Sequence, residues 1–305
     1  MAAYRSGFGD LLEPGFREIY DDTYNEMEQL FPQLFHVNSS EKQDEKDSSV
    51  SGFGLMAETS EGEGIDYEDP VQGYDKTYTH KKYTKGFKIS EEMYEDDLYN
   101  VMNKKPAALA RSARRTAEYT AANVFNNAFS TSYPGGDAKP LVSVSHPRSD
   151  GGSSQSNASS TGVTLTEPNL ETARTAFREQ LDEKGMRIQA MPDTILVPVN
   201  LEKQANIIVN STMRSGTADN DYNFYKGKFK VVAWEYLTEN DTMWFLLDSK
   251  QHELNWFWRI KPEFKQDEAF DTGMALFKNR MRNSVGFSDW RYVWGSKGDG
   301  QAYAS

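Results

Sequence analysis

The stretch from Ser51 to Ser90 limits the possible folds more than any other part of this chain. It reads as a long two-armed β ribbon, with an outgoing arm Gly52–Glu58, a tip Thr59–Pro70 and a return arm Gly73–Ile89, punctuated by Gly, Pro and Asp. The return arm is rich in Thr and Tyr, residues that suit a pleated surface. At about 3.3 Å per residue, an arm of about 15 residues reaches roughly 50 Å, beyond the radius of a compact domain. A two-stranded ribbon of that length is marginal in water, so the pattern predicts that another subunit covers it. The tip carries Glu61, Glu63, Asp66, Glu68 and Asp69, and the return arm carries Lys76, Lys81, Lys82 and Lys85. These are candidate inter-subunit contacts whose opposite charges set register between neighbours. The alternative is that they only keep an exposed ribbon soluble. Tyr74, Tyr78 and His80 share one parity and Tyr83, Phe87 and Ile89 the other, so a bulge or bend is expected near Lys81 and Lys82.

On either side of the ribbon the pattern alternates between helix and strand. Phe16, Ile19, Tyr20, Met27, Leu30 and Phe31 predict an amphipathic helix over Pro14–Phe31, and the polar run Asn38–Ser51 reads as an exposed connection. A short helix from Ser90 to Val101 precedes an alanine-rich one over Pro106–Phe129, about 36 Å long, whose small side chains allow close approach to a sheet. Arg111, Arg114 and Arg115 on this helix form a candidate basic cluster facing enclosed nucleic acid or a neighbour. The competing interpretation is an ordinary solvated face with Arg114 paired to Glu118. Tyr133–Pro168, rich in Gly and Ser, reads as a long surface loop at a boundary. Beyond it, a helix over Glu167–Gly185, strands at Thr194–Val199, Phe229–Trp234 and Thr242–Leu247, and a helix over Leu201–Val209 predict an α/β unit. Alternation at Leu254, Trp256, Trp258, Ile260 and again at Trp290, Tyr292, Trp294 predicts returning antiparallel strands, with the tryptophans as core. The class is α+β.

Composition removes several functions. With 305 residues, 37% hydrophobic, the chain can bury a large core, and no apolar run is long enough to span a membrane. There is no cysteine, hence no disulfide, thiolate site or Cys nucleophile. A net charge of −12 opposes a general nucleic-acid-coating role. His36, His80, His146 and His252 are far apart in sequence, and no phosphate-binding glycine loop or nucleophile elbow is present. No metal, no cofactor and no catalytic residues are expected, and the chain does not read as an enzyme.

Four segments carry a family resemblance. They are Gly62–Pro70 running on to Tyr74–Lys81, Lys139–Pro147, Met191–Pro198 and Phe287–Arg291. With the order of arm, ribbon, long helix, Gly/Ser loop, α/β unit and returning strands, the chain resembles the major capsid proteins of tailed bacteriophages, with the fold named after phage Hong Kong ninety-seven. Within that group it is most similar to the major head subunits of Mu-like phages. The resemblance implies an N-terminal arm (1–50), an extended loop or E-loop (51–90), a peripheral domain with a spine helix (91–160), an axial domain (161–248) and peripheral returning strands (249–305). It implies hexamers and pentamers of an icosahedral shell around double-stranded DNA bound without sequence specificity. Scaffolding protein, portal and cement proteins are the implied partners, with assembly in the host cytoplasm and residence in the virion. Some relatives crosslink Lys to Asn; Asn279 and Asn283 supply the residue type, but no motif marks a bonding pair and self-crosslinking is not expected. An encapsulin-like nanocompartment shell and a tail or baseplate protein are the alternatives.

Overall fold

Helix α1 (Phe8–Glu26) leads through a 3-10 turn, Phe31–Gln33, into strand β1 (His36–Ser39). The computed structural model describes residues 8–70, 72–90, 92, 93, 96, 102–213, 221–269, 271, 272 and 274–303. There follow β2 (Asp44–Val50), β3 (Gln72–Thr79), β4 (Lys81–Ser90), α2 (Lys104–Asn126) and α3 (Glu167–Arg178). Next come β5 (Thr194–Val197), α4 (Val199–Asn210), β6 (Lys230–Ala233) and β7 (Trp244–Leu247). The chain returns through β8 (Leu254–Ala269), β9 (Met274–Phe287) and β10 (Val293–Ser296).

Two four-stranded sheets organise the molecule, in the orders β1-β8-β9-β4 and β10-β7-β5-β6, and β2 pairs with β3 in a separate ribbon. The alanines explain where α2 lies. Ala110, Ala113, Ala117 and Ala121 recur at helical spacing and are buried, so the backbone of α2 approaches its neighbours closely. One core joins α2 to Phe31, Leu34, Trp234, Phe245 and Trp256, a second fills the α/β unit around Trp244, Trp294 and Phe177, and a third joins α1 to the far end of the β4-β9-β8 sheet through Phe16, Tyr20, Phe264 and Phe277. All six tryptophans are buried, as core residues are. Pro262 sits where the β8–β9 register slips between Ile260 and Glu263, the place a strand tolerates a residue with no N–H.

The structure departs from the sequence reading in several places. The outgoing arm of the ribbon is not Gly52–Glu58, which forms no strand, but the polar run Asp44–Val50, paired antiparallel to β3. Charge hid it, because Asp44, Glu45, Lys46 and Asp47 show no apolar alternation. The expected bend is present at His80, where β3 ends and β4 leaves to pair with β9. Helix α1 starts at Phe8 and stops at Glu26, and α3 stops at Arg178, well before Gly185. The short helix expected over Ser90–Val101 lies mostly outside the described residues. β10 joins the second sheet beside β7 rather than the sheet of β8 and β9, and β1 adds to β8 in parallel.

The segment 133–168 departs most. Its centre is buried rather than on the surface. His146 and Asn157 have no exposed area. Asn157 Nδ2 donates to Leu141 O at 2.8 Å, its Oδ1 accepts from Ser143 N at 2.9 Å, and its backbone O accepts from Gly295 N at 3.1 Å. His146 places Nδ1 2.6 Å from Asp137 Oδ2 and stacks on Trp290 at 4.2 Å between centroids.

Candidate assembly surface

The β2–β3 ribbon is fixed at its root by polar contacts that the flat, charged strands could not supply by packing. Tyr78, buried, lies edge-on to Phe257 at 5.0 Å, and its hydroxyl is 2.6 Å from Ser288 Oγ, which in turn donates to Asp47 on β2. At the bend, the ring nitrogens of His80 lie 3.0 Å from Ser40 Oγ and 3.0 Å from Ser284 Oγ. Burial, then the nearby Arg282, pushes the His80 pKa down. Lys76 donates to Pro134 O at 2.7 Å and lies over the Phe287 ring, and burial lowers its pKa.

Beyond this root, residues 52–70 form no strand, and all but Gly54 are exposed. They hold large apolar side chains in water: Leu55 is 87% exposed, Met56 100% and Tyr67 87%. Single exposed apolar residues are ordinary, but several on one exposed segment mark an interaction site. Gly62, at φ +91°, makes the turn that lets Glu63 N reach Ser60 O.

The structure brings few of the candidate charges together. Glu68 accepts from Gly54 N at 2.6 Å and pairs with Lys184, far from the return arm, and the Lys184 bond followed by the Gly54 one holds its pKa down. Among the described residues Glu61, Glu63, Asp66 and Asp69 form no ion pair. The return-arm lysines separate as well. Lys76 is held at the root, Lys85 lines the cleft between β4 and α2, Lys81 lines a neighbouring cleft, and Lys82 stands on the opposite face of β4 from Tyr83. Arg111, Arg114 and Arg115 do not form one cluster. Arg111 and Arg115 are exposed, whereas Arg114 is buried, donates to Tyr24 O and stacks on the Tyr24 ring at 3.9 Å. Nor does Arg114 pair with Glu118. That buried carboxylate accepts from Leu30 N (2.9 Å) and from Trp234 Nε1 (2.8 Å), and desolvation pushes its pKa up against those bonds. Asn279 donates to Tyr20 OH, and Asn283 is buried in the same strand.

Sequence reasoning missed the residues that hold these parts together. Arg291 donates to Glu183 at 2.8 Å, to Asp289 at 2.9 Å and to Leu181 O at 2.8 Å, with Arg291 and Glu183 both buried. Arg291 and His146 fall inside two of the quoted family segments, and that is the one signal that pointed to them. His36 and His252, distant in sequence, lie ring to ring at 4.6 Å with a 38° tilt, yet no group of three or more His, Asp or Glu able to hold a metal occurs among the described residues. Among the described residues, the clefts beside α2 are lined by no Asp, Glu or His.

A family model described as phage capsid protein matches residues 73–295. The chain belongs to the phage capsid protein family. Among solved structures, the capsid of bacteriophage JBD30 aligns with a TM-score of 0.56 at 13% identity, over 70% of this chain and 92% of that one. The capsid of cyanophage P-SCSP1u gives 0.56 at 13% identity over 91% and 88%. A virus-like particle from Pyrococcus furiosus gives 0.53 at 10% identity over 93% and 98%. At such identities the likeness is one of fold, the α+β architecture named after phage Hong Kong ninety-seven. None of the curated proteins matches. This capsid protein is thus a major capsid protein of tailed-phage type, a structural subunit of a viral shell.

Proposed function

We propose that this capsid protein closes into an icosahedral shell of hexamers and pentamers around double-stranded DNA, and that the ribbon 51–90 is the loop by which each subunit grips the next. The observation that carries this is the exposed segment 52–70, held by the ribbon root at Tyr78 and His80 and by Glu68 on Lys184 but leaving Leu55, Met56 and Tyr67 in water. A subunit that spends apolar area in this way gains only when a neighbour covers it. Reciprocal reaching between copies is a heterologous contact, which gives rings when the rotation closes. Around the loop, residues 1–50 form the N-terminal arm, 91–160 and 249–305 the peripheral domain with α2 as spine, and 161–248 the axial domain, into which β10 also returns. The four family segments favour the Mu-like head subunits. Arg111 and Arg115, exposed one turn apart, are the pair on α2 available to DNA. A scaffolding protein, a portal and cement proteins are the partners this reading brings, with assembly in the host cytoplasm and residence in the virion. It assigns no enzymatic role.

The likeness to the Pyrococcus furiosus particle supports a second reading, a nanocompartment of encapsulin type. Electron microscopy of particles purified with their contents separates the two. Double-stranded DNA inside supports the head protein and a protein cargo supports the compartment. Deleting Thr59–Pro70 tests the loop directly: the subunit should melt as the full chain does and form no closed shells. Normal shells from that deletion would refute the role given to the ribbon.

A further inference from the structure

The sheet β1-β8-β9-β4 packs one face on α1 and α2, where Ala275, Phe277 and Met281 are buried. Its other face has two unlike ends. At one end the ribbon root lies against it, with a Cβ at Gly286 coming within 3.1 Å of the Tyr78 ring. At the other, the register sets Lys82, Lys88, Lys278, Arg280, Arg282 and Lys265 on one surface, with Glu263 and Asp267 the acids among them. Lys82, Lys88, Lys278 and Lys265 are exposed there. Lys82 stands directly opposite Arg282, and Lys278 directly opposite Lys265. Like charges so placed oppose strand pairing. Arg280 Nε is buried with no hydrogen-bond partner among the described residues. Lys265 pairs with Glu263 at 3.2 Å, but among the described residues Lys82, Lys88, Lys278 and Arg282 form no ion pair, so a chain of net charge −12 still concentrates cations on one open surface.

The complementary charge lies on the same sequence. Residues 52–70 contain six carboxylates and no Lys or Arg, and in the single chain only Glu68 finds a cation among the described residues. The spacing also agrees. Alternate residues of an extended chain recur about every 6.6–6.8 Å, so Asp66 and Glu68, in a stretch without a turn, repeat the step from Lys278 to Arg280. We propose that this cationic sheet face is the seat for the acidic segment 58–69 of a neighbouring copy. The proposal rests on the reading that the ribbon reaches another subunit, and it places the receiving charges on β8 and β9 as well as on the return arm. Charge complementarity of this kind fixes which register is allowed and speeds encounter, and it weakens with salt.

The test uses the full chain and three charge-reversed forms. One is the face pair Lys82→Glu with Lys278→Glu, one the tip pair Glu61→Lys with Glu63→Lys, and one carries all four changes. Melting temperature confirms folding, and light scattering with electron microscopy reads ring and shell formation against protein concentration and NaCl. Each reversal alone should raise the concentration needed for assembly about tenfold or more, and the four-fold change should restore it. Assembly unaffected by the face reversal, or no recovery in the combined form, while wild-type shells form normally, would overturn the seat and leave the shell reading standing. Normal shells that have lost bound DNA on face reversal would also overturn it and make this a nucleic-acid surface. A wild-type chain that never forms rings or shells would remove the underlying reading and the seat with it.

Discussion

Segments 133–168 and 52–70 invert what their compositions suggest. The first is Gly- and Ser-rich and lies partly in the core, where His146 and Asn157 have no exposed area. The second holds Phe53, Leu55, Met56, Ile65 and Tyr67, all of them exposed. The difference is where each finds its partners. Polar groups can be buried when every donor and acceptor is met within the chain, as Asn157 and His146 are. Apolar groups left in water gain nothing from the chain that carries them and point to a surface on another molecule.

Several substitutions would break or sharpen that contrast. The largest effect is expected from Arg291→Met, which leaves Glu183 buried without its cation. A loss of about 3–5 kcal/mol is expected in chemical denaturation, and a loss below about 1 kcal/mol would mean that the buried loop is not held this way. Asn157→Ala strands Ser143 N and Leu141 O and should cost about 2–3 kcal/mol in the same measurement. The pH dependence should come next and carry two opposite signs. Burial and then His36 lower the His252 pKa to about 4, so the folded state resists protonation that the unfolded chain accepts. The resulting stability is full above about 6.5 and falls as pH drops toward 4, by on the order of 3 kcal/mol. His252→Asn should flatten this limb of a melting-temperature profile. Glu253 behaves in the reverse way: desolvation, then Asp289 and Asp47, raise it to about 7. Its folded form prefers the proton, so stability declines as pH rises from about 4.5 through 7. The residue as a whole is exposed, so screening keeps the effect small. Glu253→Gln should melt higher than the parent at pH 8 and alike at pH 4. The smallest effect on folding should come from Leu55→Ser with Met56→Ser, within about 0.5 kcal/mol of the parent. Assembly of that pair should nevertheless fall, and a stability loss above about 1.5 kcal/mol would place the segment inside the subunit's own core.

Periodicity or an unbroken apolar run revealed α2, the α/β strands and the start of β8, but not β9, whose apolar alternation is broken by Asn279 and Asn283. Pattern failed also at β2, where Asp44, Glu45, Lys46 and Asp47 alternate nothing apolar and the strand exists only because β3 pairs with it. The bend at His80 was legible from the parity change of the aromatic residues. The cationic face was not, because Lys82, Lys278 and Lys265 become neighbours only through the pairing register of three strands. The dispersal of Arg111, Arg114 and Arg115 was likewise hidden. Neighbours in sequence on a helix point to different sides, and which side is inside is decided by α1.

The pairing of β4 with β9 and of β1 with β8 has a consequence in time. Strands finished by residue 90 wait for partners that begin at residue 254, a delay on the order of ten to forty seconds at ribosomal speed. Meanwhile β5, β6, β7 and α4 can fold on the nascent chain. The surface that would receive a neighbour is thus the last to exist, so subunits still being translated cannot capture one another on the polysome.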